Sequence, residues 1–330
     1  MAQINNILIT SAGRRVSLVR NAKESLQKHN KNAKVYAVDL KPELSSACQV
    51  ADSYEMVPRV TDSKYIPFLL EFCKKNSISI VIPTIDTELE VLSKSKKMFE
   101  EIGVMVAISS QEICKTFYHK STTDTFFSKH NIPTPKMVID FENVTYPLFA
   151  KLNNSSCSVG AQKVYSAIEA KELLKENSDY IFQEFIDADE FTVDVYVNRI
   201  GEVCSVVPRQ RLEVRAGEVN KALAVKDKTI IDAVKDETII NAVKDLCEKM
   251  DGSFGVITVQ LFKEDENISF IEVNPRFGGG YPLSWRAGAD MVGMLIDDYL
   301  GKSPSYNDSW ADRTLMLRYD DEVIVSGYSS

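Results

Sequence analysis

Carboxylate and amide oxygens are concentrated on two apolar, strand-like segments, residues 254–262 and 268–273. Glu272 and Asn274 are two residues apart, so on a strand both side chains point to the same face. If the two strands pair as a hairpin, Gln260 approaches that face as well. Oxygen ligands with a single carboxylate suit Mg²⁺, which keeps waters and takes further ligands from phosphates. Arg276 follows directly, where its guanidinium could hold a transferring phosphoryl group.

Basic side chains are concentrated between residues 208 and 221, although the net charge of the protein is −8. Arg209 and Arg211 share one face of a predicted strand, and Arg215 and Lys221 follow them. Guanidinium groups in this arrangement can bind a carboxylate or a phosphate. The same pattern is typical of a solvated basic loop, so both interpretations stay open.

The elements that position these residues differ between the two parts of the chain. In the first third, strands and helices alternate, which favours a parallel sheet with right-handed crossovers. Strands are predicted over residues 4–10, 34–40, 78–83 and 104–108. Helices are predicted over residues 16–29, 62–76 and 86–101. The turn after the first strand lacks the GxGxxG pattern, so a dinucleotide site is not supported.

The pattern of the remaining two thirds of the chain predicts an α+β region, in which strands paired as hairpins pack against helices. Its further strands are predicted over residues 147–152, 162–165, 180–186, 190–198 and 202–208. Its helices are predicted over residues 122–130, 167–176, 229–250 and 287–300. A linker is expected at residues 132–135, where two prolines interrupt the pattern. The chain as a whole is therefore predicted to be α/β plus α+β.

One internal near-repeat falls in this region, where residues 229–236 recur as residues 238–245 with an offset of 238 − 229 = 9 residues. At about 100° per residue, the two copies would face opposite sides of one straight helix. We interpret it as a short tandem duplication with one copy facing the core. Its functional role stays open.

The composition excludes several classes of protein. The 330 residues are 44% hydrophobic and 26% charged, and the acidic balance offers no footprint for nucleic acid or an anionic membrane. No apolar run approaches the ~20 residues of a membrane span, and no signal peptide is evident, so a cytoplasmic location is expected. The six cysteines form no CxxC pair and the three histidines are isolated, so neither a disulfide framework nor a zinc site is expected.

The segment of residues 271–276 resembles the metal-binding strand of the ATP-grasp superfamily, and most closely of members similar to the carbamoyl-phosphate synthase large subunit. The resemblance extends over nearly the whole chain. It implies an N-terminal parallel-sheet pre-ATP-grasp domain (1–110), followed by a two-lobed ATP-grasp fold. That fold would comprise a small lobe with a phosphate-lid loop (111–185) and a C-terminal lobe with the metal site (186–330). Within it, Gln260, Glu272 and Asn274 would bind Mg²⁺ or Mn²⁺, and Arg276 would contact phosphate.

The same resemblance assigns the nucleotide-binding residues. Lys120, at a helix start that also favours anions, and Lys151, on a strand, match the two phosphate-binding lysines. Residues 153–161 match the small-residue lid over the triphosphate, although this loop has one glycine and contains a cysteine. Backbone groups of residues 184–186 would read adenine, and Glu190 would accept the ribose hydroxyls. The ATP-binding set is therefore predicted to be Lys120, Lys151, Ser155, Ser156, Ser158, Gly160, Glu184, Phe185, Ile186 and Glu190.

Two further sets are expected to act on the substrates. Arg211 and Arg215, with Lys221 in support, would contact the acyl phosphate or the substrate carboxylate, as arginines in this position do in the family. Residues at strand ends of the first domain would face the cleft between domains, although each could equally be a helix cap or a turn residue. These low-specificity candidates are Ser11, Gly13, Arg14, Thr84 and Asp86.

The resemblance implies an ATP-dependent ligase that activates a carboxylate as an acyl phosphate for attack by an amine or ammonia. Its partners would be these small molecules, and a homodimer is one option because relatives form dimers. Two alternatives are a carbamoyl-phosphate-synthase-like enzyme that activates bicarbonate, and a non-catalytic ATP-binding regulatory protein. The sequence names neither the carboxylate nor the amine.

Overall fold

The computed structural model describes residues 3–155, 159–215, 217–226 and 238–328. Its first unit is a five-stranded, wholly parallel sheet in the order β3-β2-β1-β4-β5, which confirms the predicted parallel sheet. The strands are β1 (Asn6–Ile9), β2 (Val35–Asp39), β3 (Ser53–Met56), β4 (Ile78–Ile82) and β5 (Met105–Val106). The helices are α1 (Val16–His29), α2 (Ser46–Val50), α3 (Tyr65–Lys75) and α4 (Asp86–Glu100), with a 3₁₀ turn at Pro42–Leu44.

The strand order of this sheet reverses between β1 and β4, which are neighbours at its centre. Crevices outside the carboxyl ends of strands at such a switch point are where open α/β sheets bind ligands. Residues 10–15 follow β1 and residues 83–86 follow β4, so both turns border that crevice.

The second unit is a three-stranded antiparallel sheet in the order β7-β6-β8. It follows the helices α5 (Gln111–Thr116) and α6 (Lys120–Lys129), and α7 (Ala167–Glu176) packs against it. Its strands are β6 (Leu148–Leu152), β7 (Gln162–Val164) and β8 (Tyr180–Glu184).

The third unit is a six-stranded antiparallel sheet in the order β13-β12-β9-β10-β11-β14. Its strands are β9 (Asp189–Val197), β10 (Val203–Arg215), β11 (Glu218–Ala224), β12 (Gly255–Glu264), β13 (Asn267–Asn274) and β14 (Leu315–Leu317). Its helices are α8 (Thr238–Glu248), α9 (Tyr281–Ala287) and α10 (Met291–Tyr299).

Two elements of this region were not predicted. The helix predicted over residues 287–300 is α10, which begins at Met291, and the unpredicted α9 precedes it and ends where Gly288 takes a φ of +113°. The strand β11 was not predicted either; it contains Lys221, for which a binding role and a solvated basic loop both stayed open. Of the near-repeat, the second copy forms most of α8, with Ile239 and Ile240 buried, and the first copy lies outside the described residues.

One hydrophobic core joins the first and third units. Ile7 and Ile9 of β1 belong to the same buried cluster as Tyr196 of β9 and Leu295 of α10. This shared core fixes the first domain against the large sheet, so the crevice beyond β1 and β4 opens onto the third unit. Within the described part of the chain, no helix combines the length and the apolar character needed to cross a membrane.

Candidate active site

The predicted hairpin is present, and it brings three oxygen-bearing side chains to one face. β12 and β13 pair antiparallel with Gln260 opposite Glu272, and Asn274 lies opposite Thr258. Directly opposed residues have Cβ atoms about 4.5–5.5 Å apart, so the Gln260 and Glu272 side chains are neighbours. All three side chains line one small cavity of about 130 Å³.

Lys120 and Lys151 both lie within electrostatic range of this hairpin. Lys151 on β6 is only 6% exposed, and burial lowers its pKa to about 8, against the opposing effect of Glu272. Lys120 begins α6, where burial also lowers its pKa and Glu272 is again the strongest opposing charge. Its Nζ donates a hydrogen bond to the Ser155 carbonyl. Side chains from two sheets and a helix therefore converge on one carboxylate.

Arg276 joins the hairpin to the first domain. Its Nε and Nη2 donate to the two carboxylate oxygens of Asp86 at 2.7 Å each, and Nη2 also lies 3.3 Å from Asn274 Oδ1. Asp86 is the first residue of α4. A carboxylate in the first turn of a helix is favoured by the helix dipole, so α4 holds Asp86 in place for this pairing.

Arg15 is a site residue that sequence reasoning missed in favour of its neighbour Arg14. Its Nη2 donates to the Thr84 carbonyl at 3.1 Å, and it lines both the small cavity and the larger cleft beside it. Burial, with help from the positive charge of Arg276, lowers the pKa of Arg15 to about 10. The signal in the sequence was the position of Arg15 directly before α1, in the turn that follows a parallel strand.

The hydroxyl groups of Ser11 and Thr84 form hydrogen bonds that link the turn after β1 to the turn after β4. Thr84 Oγ1 donates to the carbonyls of Thr10 and Ser11, and Ser11 Oγ donates to Glu88 Oε2 at 2.9 Å. Burial raises the pKa of Glu88, although the donors around the carboxyl, led by the Thr84 backbone, oppose the rise. Glu88 was not predicted, but it stands at the third position of α4, where a capping-box carboxylate is expected.

Arg211 lies in the small cavity and forms an ion pair with Glu190, the residue predicted to bind ribose. Burial raises the pKa of Glu190, against the lowering effect of Arg211. The neighbouring Arg209 is fully buried and holds Asp194 through bonds of 2.8 Å and 3.0 Å. Its Nη1 atom has no hydrogen-bond partner in the described structure, and Arg209 is one of the residues that line the cavity.

Arg215 and Lys221 line neither cavity, so the structure does not bring them to the other predicted site residues and their catalytic role stays a prediction. Arg215 is 67% exposed and pairs with the still more exposed Asp320, while Lys221 pairs with Glu213 at 2.6 Å. The β10–β11 register shifts twice beyond Arg211, and the end of β10 is exposed, so the strand carries these side chains away from the pocket.

The residues predicted to read adenine end β8 and do not line the larger cleft. The Glu184 backbone N–H donates to the Lys136 carbonyl at 3.0 Å, and its side chain accepts from the Lys136 N–H. The Phe185 ring lies under Lys163 Nζ at 3.8 Å, and Ile186 follows it. Their role in binding a base stays a prediction.

The predicted lid loop is described in part. Ser155 lines the larger cleft and Gly160 takes a φ of +72°, where a Cβ would lie 3.0 Å from the Leu152 side chain. Ser156 and Ser158 lie outside the described residues.

The larger cleft has a volume of about 1090 Å³ and is lined from both domains. It is therefore the place where the first domain meets the predicted phosphate- and metal-binding side chains. The predicted residues that line it are Ser11, Gly13, Arg14, Thr84, Asp86, Lys120, Ser155, Glu272, Asn274 and Arg276.

The donor set of the hairpin fits a hard divalent cation. The described residues contain no group of three or more His, Cys, Asp or Glu side chains placed to hold a metal. Gln260, Glu272 and Asn274 instead offer two amide oxygens and one carboxylate. This set matches Mg²⁺ or Mn²⁺, which prefer oxygen ligands and complete their coordination with water and phosphate.

Comparison with protein families divides the chain into two matched regions. Residues 7–107 match the model for a PylC-like N-terminal domain, and residues 118–280 match the model for an ATP-grasp domain. No curated protein matches the sequence. The family matches confirm the ATP-grasp resemblance of the hairpin and the order of the domains.

Solved structures share the whole architecture at low sequence identity. One is the biotin carboxylase domain of 2-oxoglutarate carboxylase from Hydrogenobacter thermophilus, bound to MgADP, ADP and bicarbonate. It is 14% identical to this chain with a TM-score of 0.72, and the match covers 96% of this chain and 74% of that one. The N5-carboxyaminoimidazole synthetase from Staphylococcus aureus, bound to ADP, is 15% identical with a TM-score of 0.70, over 96% and 81%. The corresponding ribonucleotide synthetase from Thermotoga maritima is 18% identical with a TM-score of 0.66, over 93% and 78%.

Proposed function

Because the chain consists of a PylC-like N-terminal domain followed by an ATP-grasp domain, we propose that it is an ATP-dependent carboxylate–amine ligase. A carboxylate oxygen attacks the γ-phosphorus of ATP, and ADP leaves. The nitrogen of an amine or ammonia then attacks the carbonyl carbon of the acyl phosphate. Phosphate leaves and the nitrogen loses a proton, which gives an amide.

The observation that carries this proposal is the convergence of cations on one carboxylate-bearing hairpin. Lys151 is buried and Lys120 is half-buried, both within electrostatic range of Glu272, and Arg276 lies two residues beyond Asn274. Buried cations are costly unless they meet negative charge. Glu272 is the strongest opposing charge for both lysines, with weaker contributions from Asp86 and Asp179 at Lys120 and from Asp124 at Lys151. A nucleotide triphosphate would supply further negative charge at the same place.

Each group has a distinct part in the proposed reaction. Lys120 and Lys151 offset the charge on the phosphoryl group as it moves, and Arg276 is held by Asp86 in a fixed direction beside it. Gln260, Glu272 and Asn274 would hold Mg²⁺, which supplies charge neutralisation when it is bound. Positioning and electrostatics suffice for phosphoryl transfer, so no nucleophilic side chain is required.

Several residue roles rest on the family resemblance and stay proposals. We assign the triphosphate to Lys120, Lys151, Ser155 and Gly160, adenine to residues 184–186, and ribose to Glu190. For Glu190, this requires the hydroxyls to share or replace its pairing with Arg211. The domain division 1–110, 111–185 and 186–330 is supported by the three sheets, each of which falls within one of these ranges.

The substrates are proposed to be small molecules, and two classes of carboxylate stay open. The Hydrogenobacter structure holds bicarbonate, which keeps bicarbonate activation as a second candidate. The same structure is a dimer, which supports testing this protein for a homodimer. The proposed use of ATP fits a cytoplasmic location.

The test is ADP release from Mg-ATP while carboxylates and bicarbonate are screened with amines and ammonia. We expect ADP only with a matching pair, and hydroxylamine in place of the amine should trap the acyl phosphate as a hydroxamate. The variant Glu272→Gln should lose more than about tenfold in rate, while the exposed Glu172→Gln serves as the matched control. ATP binding without ADP release for any pair would favour a regulatory protein and contradict the proposal.

A further inference from the structure

Three arginines form a cationic rim where α1 meets α9 beside the larger cleft. Arg14, Arg20 and Arg286, here called the arginine rim, all line that cleft and all have exposed side chains. Arg286 Nη1 lies 3.7 Å from Glu24 Oε2 on α1. Arg20 precedes Glu24 by four residues on the same helix, so both occupy one helix face. Arg20 therefore lies one helical turn from the residue that pairs with Arg286, and both arginines line the cleft.

The charge of the arginine rim is largely unbalanced. Among the residues that the structure describes, neither Arg14 nor Arg20 has a carboxylate within the 4.0 Å of an ion pair, and Glu24 at the edge is the sole such neighbour of Arg286. Two other acidic groups of the cleft, Asp321 and Glu322, form no ion pair with the rim.

The remaining carboxylates of the cleft are already engaged. Asp86 pairs with Arg276, Glu218 pairs with Arg318 at 3.2 Å, and Glu272 faces the two lysines. A local excess of positive charge therefore persists in a protein whose net charge is −8. Such an excess, inside a concave site, attracts and holds anions.

The cleft has room for an organic molecule that spans from Arg276 to the arginine rim. Its volume of about 1090 Å³ lies just above the range for small-molecule sites, about 300–1,000 Å³. Residues 184–186, assigned to adenine, do not line it. The nucleotide would therefore enter it only with its phosphates, near Lys120 and Ser155.

We propose that the carboxylate substrate carries a second anionic group, a carboxylate or a phosphate, which Arg14, Arg20 and Arg286 bind. Guanidinium forks suit both groups because each accepts two parallel hydrogen bonds. The inference rests on the proposed function for the position of the reacting carboxylate beside Arg276. It selects an organic molecule with two separate anionic groups over bicarbonate, which has only one.

The experiment measures binding by calorimetry without nucleotide, using succinate, phosphoglycolate and the monoanion butyrate as probes. We expect at least one of succinate and phosphoglycolate to bind more than tenfold tighter than butyrate, an effect of at least about 1.4 kcal/mol. The variants Arg14→Gln/Arg20→Gln and, separately, Arg286→Gln should abolish that preference. Lys75→Gln, an exposed charge of the same domain outside the cleft, should leave it unchanged.

Equal binding of butyrate, succinate and phosphoglycolate, or a preference that survives in both rim variants, would overturn the inference. The probe that binds tighter identifies the second group as carboxylate or phosphate. Unchanged melting temperatures separate loss of binding from misfolding, and the single Arg286→Gln variant keeps the test valid if the double variant does not fold. Because the binding experiment contains no ATP, a failure to prefer succinate or phosphoglycolate leaves the ligase proposal standing. Binding at the arginine rim without ADP release in the activity screen would count against the ligase proposal alone.

Discussion

Arg276 and Asp86 face each other across the domain boundary in a bidentate ion pair, with both N–O distances at 2.7 Å. The side chains are 13% and 27% exposed, so water screens the pair only in part. The guanidinium assigned to the phosphoryl group is therefore oriented by a carboxylate 190 residues away in the sequence. Under the proposed function, this pairing makes the first domain part of the reacting centre as well as a wall of the cleft.

The substitution Asp86→Asn should slow turnover without unfolding the protein. Asparagine keeps the shape but offers one acceptor in place of two, so Arg276 loses its bidentate hold. A displacement of about 1 Å at such a site costs about 10²-fold in rate, and we expect a fall in kcat of that order with a smaller change in the KM for ATP. Steady-state ADP release measures both values.

The matched control for Asp86 is Asp297→Asn, which removes the carboxylate of an exposed ion pair with Lys302. Exposed pairs contribute about 0–1 kcal/mol, so activity and melting temperature should hardly change. An Asp86→Asn enzyme with wild-type kcat would show that Arg276 needs no partner from the first domain.

Lys151 should give the reaction a pH limit. Its pKa of about 8, lowered by burial, means that the cation needed beside the phosphates is lost as pH rises through 8. The kcat/KM for ATP, which reports the free enzyme, should therefore fall about tenfold per pH unit above that value. Arginine keeps its charge throughout this range, so Lys151→Arg should retain a flat profile even if its overall rate is lower. An identical decline in both proteins would assign the limit to another group.

The sequence could predict those parts of the site that depend on local pattern. The two-residue spacing of Glu272 and Asn274 indicated a shared strand face, and β12 and β13 do form a hairpin with Gln260 opposite Glu272. The parallel sheet was predicted from the alternation of strands and helices, which local periodicity in the sequence also indicates.

Pairings between residues far apart in the chain could not be predicted from the sequence. The Arg276–Asp86 pair spans 190 residues, and nothing near either residue signals the other. Arg14 was predicted in place of Arg15 because the sequence does not show which of two adjacent turn side chains points into the site. The folded conformation of the turn determines that direction. The position of Arg215 outside the small cavity could not be predicted either, because a register shift beyond Arg211 cannot be counted from spacing alone.

Gly280 should be intolerant of any side chain. A Cβ at this position would overlap Arg209 Nη1 and lie 2.8 Å from Arg209 Cζ, and Arg209 is fully buried in its pair with Asp194. Overpacking of this kind costs about 1–3 kcal/mol, so Gly280→Ala should lower the free energy of unfolding by that amount. Its neighbour provides the control, since a Cβ at Gly279 has its nearest contact at 3.5 Å. Equal denaturation midpoints for the two variants would contradict the expectation.

Arg211 and Arg215 lie on one strand, and only the first should matter for activity. Arg211 pairs with Glu190 in the small cavity, so Arg211→Gln leaves a half-buried carboxylate without its partner. A hydrogen bond to a charged group contributes about 1.5–3 kcal/mol, which corresponds to a loss of about tenfold or more in kcat/KM. Arg215→Gln breaks only an exposed pair with Asp320 and should stay within about twofold of wild type. ADP release measures both variants. A larger loss for Arg215→Gln than for Arg211→Gln would support the predicted catalytic role of Arg215, and it would require β10 to take a different register in the working enzyme.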